Sequence, residues 1–207
     1  MTKKFHYIIF IFIIGIFSAN FYGCGYNSLV QQEEKVNGAW SQVENQYQRR
    51  ADLIPNLVNT VKGYADFEKD VLTEVTDARS KVGSVQLKAE DLNDPEKFQQ
   101  FQAAQDKLSS ALSRLLVVSE NYPNLKANEN FLQLQSQLEG TENRIAVERK
   151  KFNDAVQEYN TSIRTFPTVI SAKIFGFKDK AYFKSVAGSE KAPDVKFDFN
   201  KKEGDKK

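Results

Sequence analysis

The chain has 207 residues, 41% of them hydrophobic, enough for one ordinary domain with a packed core. Lys and Arg number 29 against 27 Asp and Glu, so the formal charge of +2 is too balanced for nucleic-acid binding driven by bulk electrostatics. One Cys and one His exclude an intrachain disulfide framework and any multi-His or Cys-rich metal site, leaving only carboxylate metal binding formally open.

The amino terminus reads as a targeting or anchoring segment over residues 1–24. Lys3 and Lys4 precede the apolar run YIIFIFIIGIF, Tyr7 to Phe17, which is the positive-then-apolar pattern of a signal segment. The run is short against the about 20 apolar residues a spanning helix needs, although Phe5 to Tyr22 approaches that length if Ser18 and Asn20 are tolerated. Two fates are open. Either FYGCG is a lipoprotein processing site with Cys24 as the lipidated thiol, or the segment stays as an uncleaved anchor. Phe21 and Tyr22 stand where a lipobox favours Leu and a small residue, so the match is partial. Both fates leave the two lysines cytoplasmic and the bulk of the chain outside the cytoplasm.

The rest of the chain is patterned for helices, as its few prolines and its Gln, Glu, Ala, Leu and Lys content favour. Val36, Trp40, Val43, Tyr47, Ile54, Leu57 and Val61 recur at steps of three and four, so the spacing predicts a first helix from near Ser28. Gly63 is a candidate C-cap and KGYAD, 62–66, a reversal. Phe67, Val71, Val75, Ala78 and Val82 mark a second helix fading near Val85. EDLNDP, 90–95, is a loop with Asp94 as N-cap and Pro95 at the first helical position. Phe98, Phe101, Leu108, Leu112 and Leu115 carry the third helix to a stop at Asn121–Asn124. A fourth runs from about Asn128 through Phe131, Leu138, Ile145, Phe152, Val156 and Tyr159 to Phe166–Pro167.

These lengths predict an all-α fold, an antiparallel up-and-down four-helix bundle over 25–167 with long first and fourth helices and a shorter hairpin between them. An unbroken first helix continuing through Gly63 would overshoot its partner, so the closed bundle is the more economical reading. Counting back from the turns puts Trp40 level with Phe152, and Arg50 level with Glu139 and Glu142. Arg50 falls where the seam expects an apolar side chain, which predicts a polar layer. Pro55 cannot donate to the Ala51 carbonyl, a loss of about 3 kcal/mol or more unless offset; Asn56 and Asn59 are the side chains positioned by sequence to help.

GYN at Gly25–Asn27 and WSQVENQYQRRADLIPNLVNTVKGYA at Trp40–Ala65 resemble the LemA family of bacterial membrane-associated helical proteins. YPNLKA at Tyr122–Ala127, LEGTENRIAVERKKFNDAV at Leu138–Val156, YN at Tyr159–Asn160 and the following Phe166–Pro167 extend the likeness over nearly the whole chain after the anchor. The resemblance implies a helical bundle behind an N-terminal membrane segment, with no cofactor, no established enzymatic activity and a poorly defined molecular role. Family members encoded beside membrane metalloproteases or small TPM-domain membrane proteins point to envelope complexes. The family pattern does not require a Cys at position 24, so lipidation rests on this sequence alone.

Three constellations remain as candidate sites. A polar waist of Arg49, Arg50, Asp52, Pro55, Glu139 and Glu142 reads first as a structural ion-pair layer, then as a ligand or partner site, and last as an acid–base site, because a narrow bundle offers little pocket for a shifted carboxyl. Asn45, Asn56 and Asn59, with Arg49 and Asp52, lie on one stripe of the first helix and form either a partner-docking face or its solvated side. In the segment 168–187, Phe175, Phe177, Tyr182 and Phe183 alternate with lysines, as in a membrane-interface amphipathic stretch or in a cap packed on the bundle base. The charged end, 188–207, reads as a mobile tail. Asn160-Thr161-Ser162 matches a glycosylation acceptor by accident of composition. The leading expectation is a membrane-anchored, non-catalytic scaffold that binds another envelope protein and no nucleic acid; the alternative is a peptide- or small-ligand-binding module at the waist. A cavity lined by Arg50, Tyr47 and Glu142 would favour the alternative, and a filled waist with an exposed stripe the scaffold.

Overall fold

The computed structural model describes residues 2–64 and 67–185, with side chains from Gly25 onward. Expectations about Cys24 and about the tail 188–207 lie outside the described residues, as do the side chains of the apolar run 7–17. Among the described residues no helix is long and apolar enough to cross a membrane.

The described chain is all-helical. It carries α1 (Thr2–Lys62), α2 (Lys69–Ser84), α3 (Pro95–Ser119), α4 (Pro123–Lys126), α5 (Glu129–Arg164) and α6 (Thr168–Phe175), with a 3-10 turn at Ala89–Asp91. Two helices, α4 and α6, are thus added to the four expected. The first helix also differs from expectation: it does not begin near Ser28 but continues from Thr2, about 90 Å at 1.5 Å per residue. Nothing between the apolar run and Val36 stops a helix, since Gly25 and Ser28 supply neither a cap nor a break.

Starts and stops follow local chemistry. The Asp94 carboxylate accepts from the Glu96 and Lys97 N–H groups at 3.0 and 3.2 Å with Pro95 at the first position of α3. Asn128 caps α5 by accepting from the Phe131 N–H at 3.1 Å. Pro123 ends the third helix as expected and also starts α4. Gly63 leaves α1 through a tight turn to the Thr60 carbonyl; only Gly176, among the described residues, takes a left-handed φ, +78°, as the C-cap of α6.

Packing joins α1 to α5 and α2 to α3. The α1–α5 register is antiparallel and matches the count from the turns: Lys35 pairs with Glu158, Trp40 lies 5.5 Å from Phe152 between ring centres, and Arg50 reaches Glu142. Two apolar clusters result. One gathers Val36, Trp40, Phe98, Phe152, Tyr159 and their neighbours with the segment after α6; the other gathers Ile54, Val61, Val75, Leu108, Leu115 and Phe131. Phe67, expected within the second helix, instead precedes it and buries its ring against Tyr122 at 5.0 Å.

Candidate functional site

Between the two clusters α1, α3 and α5 each contribute polar side chains at one level. Arg50 is 1% exposed. Its Nη1 donates to Glu142 Oε1 at 2.7 Å and to Ser109 Oγ at 2.6 Å, and its Nη2 donates to the Gln105 side-chain and main-chain oxygens. The guanidinium also lies 5.1 Å from the centre of the Tyr47 ring. Arg50 Nε has no partner. The polar layer expected from the seam is therefore built by Arg50 and Glu142, with Gln105 and Ser109 as members that the sequence reading missed.

The other expected members of the waist do not join it. Arg49 is exposed, Asp52 accepts from Gln48 on its own helix at 2.8 Å, and Glu139 accepts from Gln135 at 3.0 Å. Pro55 is half-buried inside α1. The carbonyl it leaves free, that of Ala51, is met by Arg79 Nε from α2 at 3.3 Å. Asn56 and Asn59 were the sequence candidates for that duty; both point to solvent.

Two hollows flank the waist among the described residues, one walled in part by Tyr47 and the other by Glu142, and Arg50 lines neither. A hollow of about 480 Å³ opens beside the waist, with Glu44, Tyr47, Arg79, Phe101 and Gln105 in its wall, on the face away from Glu142. Burial pushes the Glu44 carboxyl above its ordinary range, against the pull of the Trp40 indole N–H. Burial likewise pushes the Tyr47 phenol up to about 12, against the pull of Arg149 and Arg50 and with a smaller push from Asp106 and Glu142. Among the described residues no group of three or more His, Cys, Asp or Glu is placed to hold a metal.

The Tyr47 shift has a measurable sign. A phenol whose folded value is raised above the ordinary 10.0 keeps its full contribution below pH 10 and loses it as pH rises through about 12. Burial also raises Tyr159, with Glu33 second, but that shift is common to both proteins in a comparison with Tyr47→Phe. The wild type is expected to lose about 2–3 kcal/mol more than Tyr47→Phe across this range. Parallel decline of the two denaturation midpoints would rule it out.

The stripe Asn45, Arg49, Asp52, Asn56, Asn59 is exposed at every position. The segment after α5 is split by the structure. Phe166, just before α6, and Ile170, Ile174 and Phe175 on it are 76, 42, 62 and 54% exposed. That helix sits against the start of the described side chains, where a Cβ on Gly25 would stand 3.2 Å from Ser171 Oγ. Tyr26 closes the junction, 4.6 Å from the Phe175 ring and 5.9 Å from that of Phe177.

Of the two readings of this segment, Phe183 follows the packed cap and not the membrane interface. It is 6% exposed and packs 4.8 Å from Phe98 and 5.5 Å from Phe152, and it stacks on Trp40 at 6.1 Å. Lys180, one of the lysines interspersed with these aromatics, is also buried and paired with Glu33 at 2.9 Å. Phe177 is half-buried; Tyr182 remains exposed. Mixed aromatic and lysine composition does not distinguish a membrane-facing stretch from one tucked into a groove. The signal that separates them lies elsewhere: Asn160 stands at seam spacing from Val156 and Ile163, and a buried asparagine needs a partner. Its amide meets the Lys180 backbone, so the glycosylation match is to a buried, engaged side chain.

The LemA family profile matches residues 39–197. The chain is 26% identical over 185 residues to Protein LemA of Metamycoplasma hominis, covering 89% of this chain and 80% of that one. It is 29% identical over 174 residues to magnetosome protein MamQ of Magnetospirillum gryphiswaldense, covering 76% of this chain and 64% of the relative, so less than two thirds of that protein is spanned. Magnetosome protein MamQ 2 of Paramagnetospirillum magneticum matches with the same identity and coverage. A profile covering most of the chain, with the polar layer and nearly all of both clusters inside it, decides the matter: the chain belongs to the LemA family.

Proposed function

We propose that the chain is a non-catalytic scaffold or adaptor of the cell envelope, an antiparallel bundle of α1, α2, α3 and α5 held outside the cytoplasm by the apolar run at its amino terminus. The observation that carries this reading is the apolar exposure of α6. Ile170, Ile174 and Phe175 on α6, with Phe166 just before it, are exposed at the end of the bundle where Gly25 of α1 meets Thr168 and Ser171. A helix with exposed large apolar residues beside a membrane-entry point is suited to lie in the headgroup layer, with Lys173 beside it for anionic lipid.

Farther from that end the waist is filled by Arg50 and its partners, and the exposed polar stripe from Asn45 to Asn59 is the face we assign to a protein partner. A filled waist does not favour the small-ligand alternative. The relatives' names describe a family and a cellular body, not a reaction, which suits a protein without catalysis. Cys24 serves as a lipid attachment point if the run is cleaved; otherwise the run itself is the anchor.

The test is photo-crosslinking in intact membranes from probes at Asn56 and Ile174, read by mass spectrometry. Expected are a discrete protein adduct at Asn56 and lipid adducts at Ile174. Adducts at Asn56 confined to this chain would remove the docking face, and absence of lipid at Ile174 would remove the membrane-seated α6.

A further inference from the structure

After Gly176 the chain leaves the helix and returns as a non-helical strap, 177–185, across α5 and the start of α3. Three side-chain amides grip its backbone, and each grips one residue at both of its polar groups. Asn160 accepts from the Lys180 N–H and donates to its carbonyl, both at 2.9 Å. Asn153 does the same to Phe183 at 2.9 and 3.0 Å. Gln102 does so to Lys184 at 3.1 and 2.7 Å. The Leu92 carbonyl takes the Ala181 N–H at 2.8 Å.

Side chains add register to this grip. Phe183 enters the pocket of Trp40, Phe98 and Phe152 with the Arg149 guanidinium 4.5 Å from its ring centre. Lys180 enters a second pocket and pairs with Glu33. Tyr182 and Lys184, between and beyond, face solvent. Burying Phe183 alone would not need three amides devoted to main-chain atoms. Main-chain hydrogen bonds for affinity with pockets at selected side chains for specificity are the design of an extended-peptide site. A hollow of about 480 Å³ lies beside Phe183 and Lys184, walled by Glu142, Ile145, Ala146 and Arg149.

We propose that the α3–α5 groove is a peptide-recognition site, occupied in cis by the chain's own strap and open to displacement by an extended segment of a partner protein. The ligand class is read from the strap: a lysine, a small residue, a position free to vary, then a phenylalanine. Gly176, with its left-handed φ, ends α6 where the strap begins. The groove shares no residue with the stripe on α1, so its fate under test is independent of that docking face.

The probe is a fluorescent synthetic peptide of 177–185, FKDKAYFKS, titrated by anisotropy against the full-length chain in detergent. Two variants weaken the strap in different ways. Phe183→Ser empties the aromatic pocket, and Ala181→Pro removes the N–H given to Leu92 while leaving the Phe183 side chain in place. Both are expected to bind the peptide saturably. A strap tethered by a short linker competes at an effective concentration on the order of millimolar, so the wild type is expected to bind at least about tenfold more weakly. Asn153→Leu added to either variant, or Phe183→Ser in the peptide, is expected to abolish binding. Variants that keep their helical signal yet bind nothing, or bind without regard to Phe183 of the peptide, overturn the proposal. Loss of helical signal in both variants overturns it as well, because a strap needed for folding is not a displaceable ligand. A concentration-dependent dimer of the wild type that Asn153→Leu abolishes assigns the groove to a second copy and overturns the partner assignment.

Discussion

Replacing Trp40 by alanine lowers the stability of the folded chain by about 3–5 kcal/mol, read from chemical denaturation of the full-length protein in detergent. The indole is 1% exposed and stands at the centre of one apolar cluster, with the rings of Phe98, Phe101, Phe152 and Phe183 at 6.0, 5.4, 5.5 and 6.1 Å. Two of these contacts are edge-to-face, a geometry that adds about 0.5–1.5 kcal/mol beyond area burial. Neighbours drawn from α1, α3, α5 and the strap cannot all collapse into the vacated space, since each is fixed by its own element. The loss therefore lies near the upper end for a core aromatic, and the strap loses its stacking partner at the same time. A loss under about 1.5 kcal/mol would show that the cluster repacks, and that Trp40 is one filler among several and not its organising residue.

The register that makes Trp40 central was legible in the sequence. Apolar steps of three and four fixed which faces of α1 and α5 meet, and the stops at 63 and 123–128 fixed where counting begins; both the Trp40–Phe152 and Arg50–Glu142 levels then follow. The caps Asp94 and Asn128 were legible because capping is local, requiring only a short polar acceptor before a helical run. Arg79 was not, since a bond from α2 to the Ala51 carbonyl depends on how two helices lie side by side. The start of α1 was misplaced because an apolar run and an amphipathic run share helical phase, and no residue between them signals a break. The strap was illegible for a different reason. It has no period of its own; its order comes from amides on other elements, and its Phe and Lys residues read equally well as interfacial.

The second large effect concerns the polar layer, and it is asymmetric. Glu142→Ala is expected to cost about 2–3 kcal/mol, whereas Arg50→Met costs less and the double variant falls close to Arg50→Met alone. The reason is which charge is left behind. Arg50 is a guanidinium 1% exposed, with only the neutral oxygens of Ser109 and Gln105 once the carboxylate is gone. Glu142 has a side chain 36% exposed, so water reclaims it when the arginine is removed. A double-mutant cycle by chemical denaturation gives the coupling directly; additive single effects, or a costlier Arg50→Met, would defeat the argument. Met at position 50 also tests what the layer is for. An arginine that must meet Glu142 pins α1 and α5 against a one-turn slip that would bury its charge in an apolar cluster. Without it the seam runs apolar from Tyr47 to Ile54, so stability survives while hydrogen-exchange protection at this level of α5 falls.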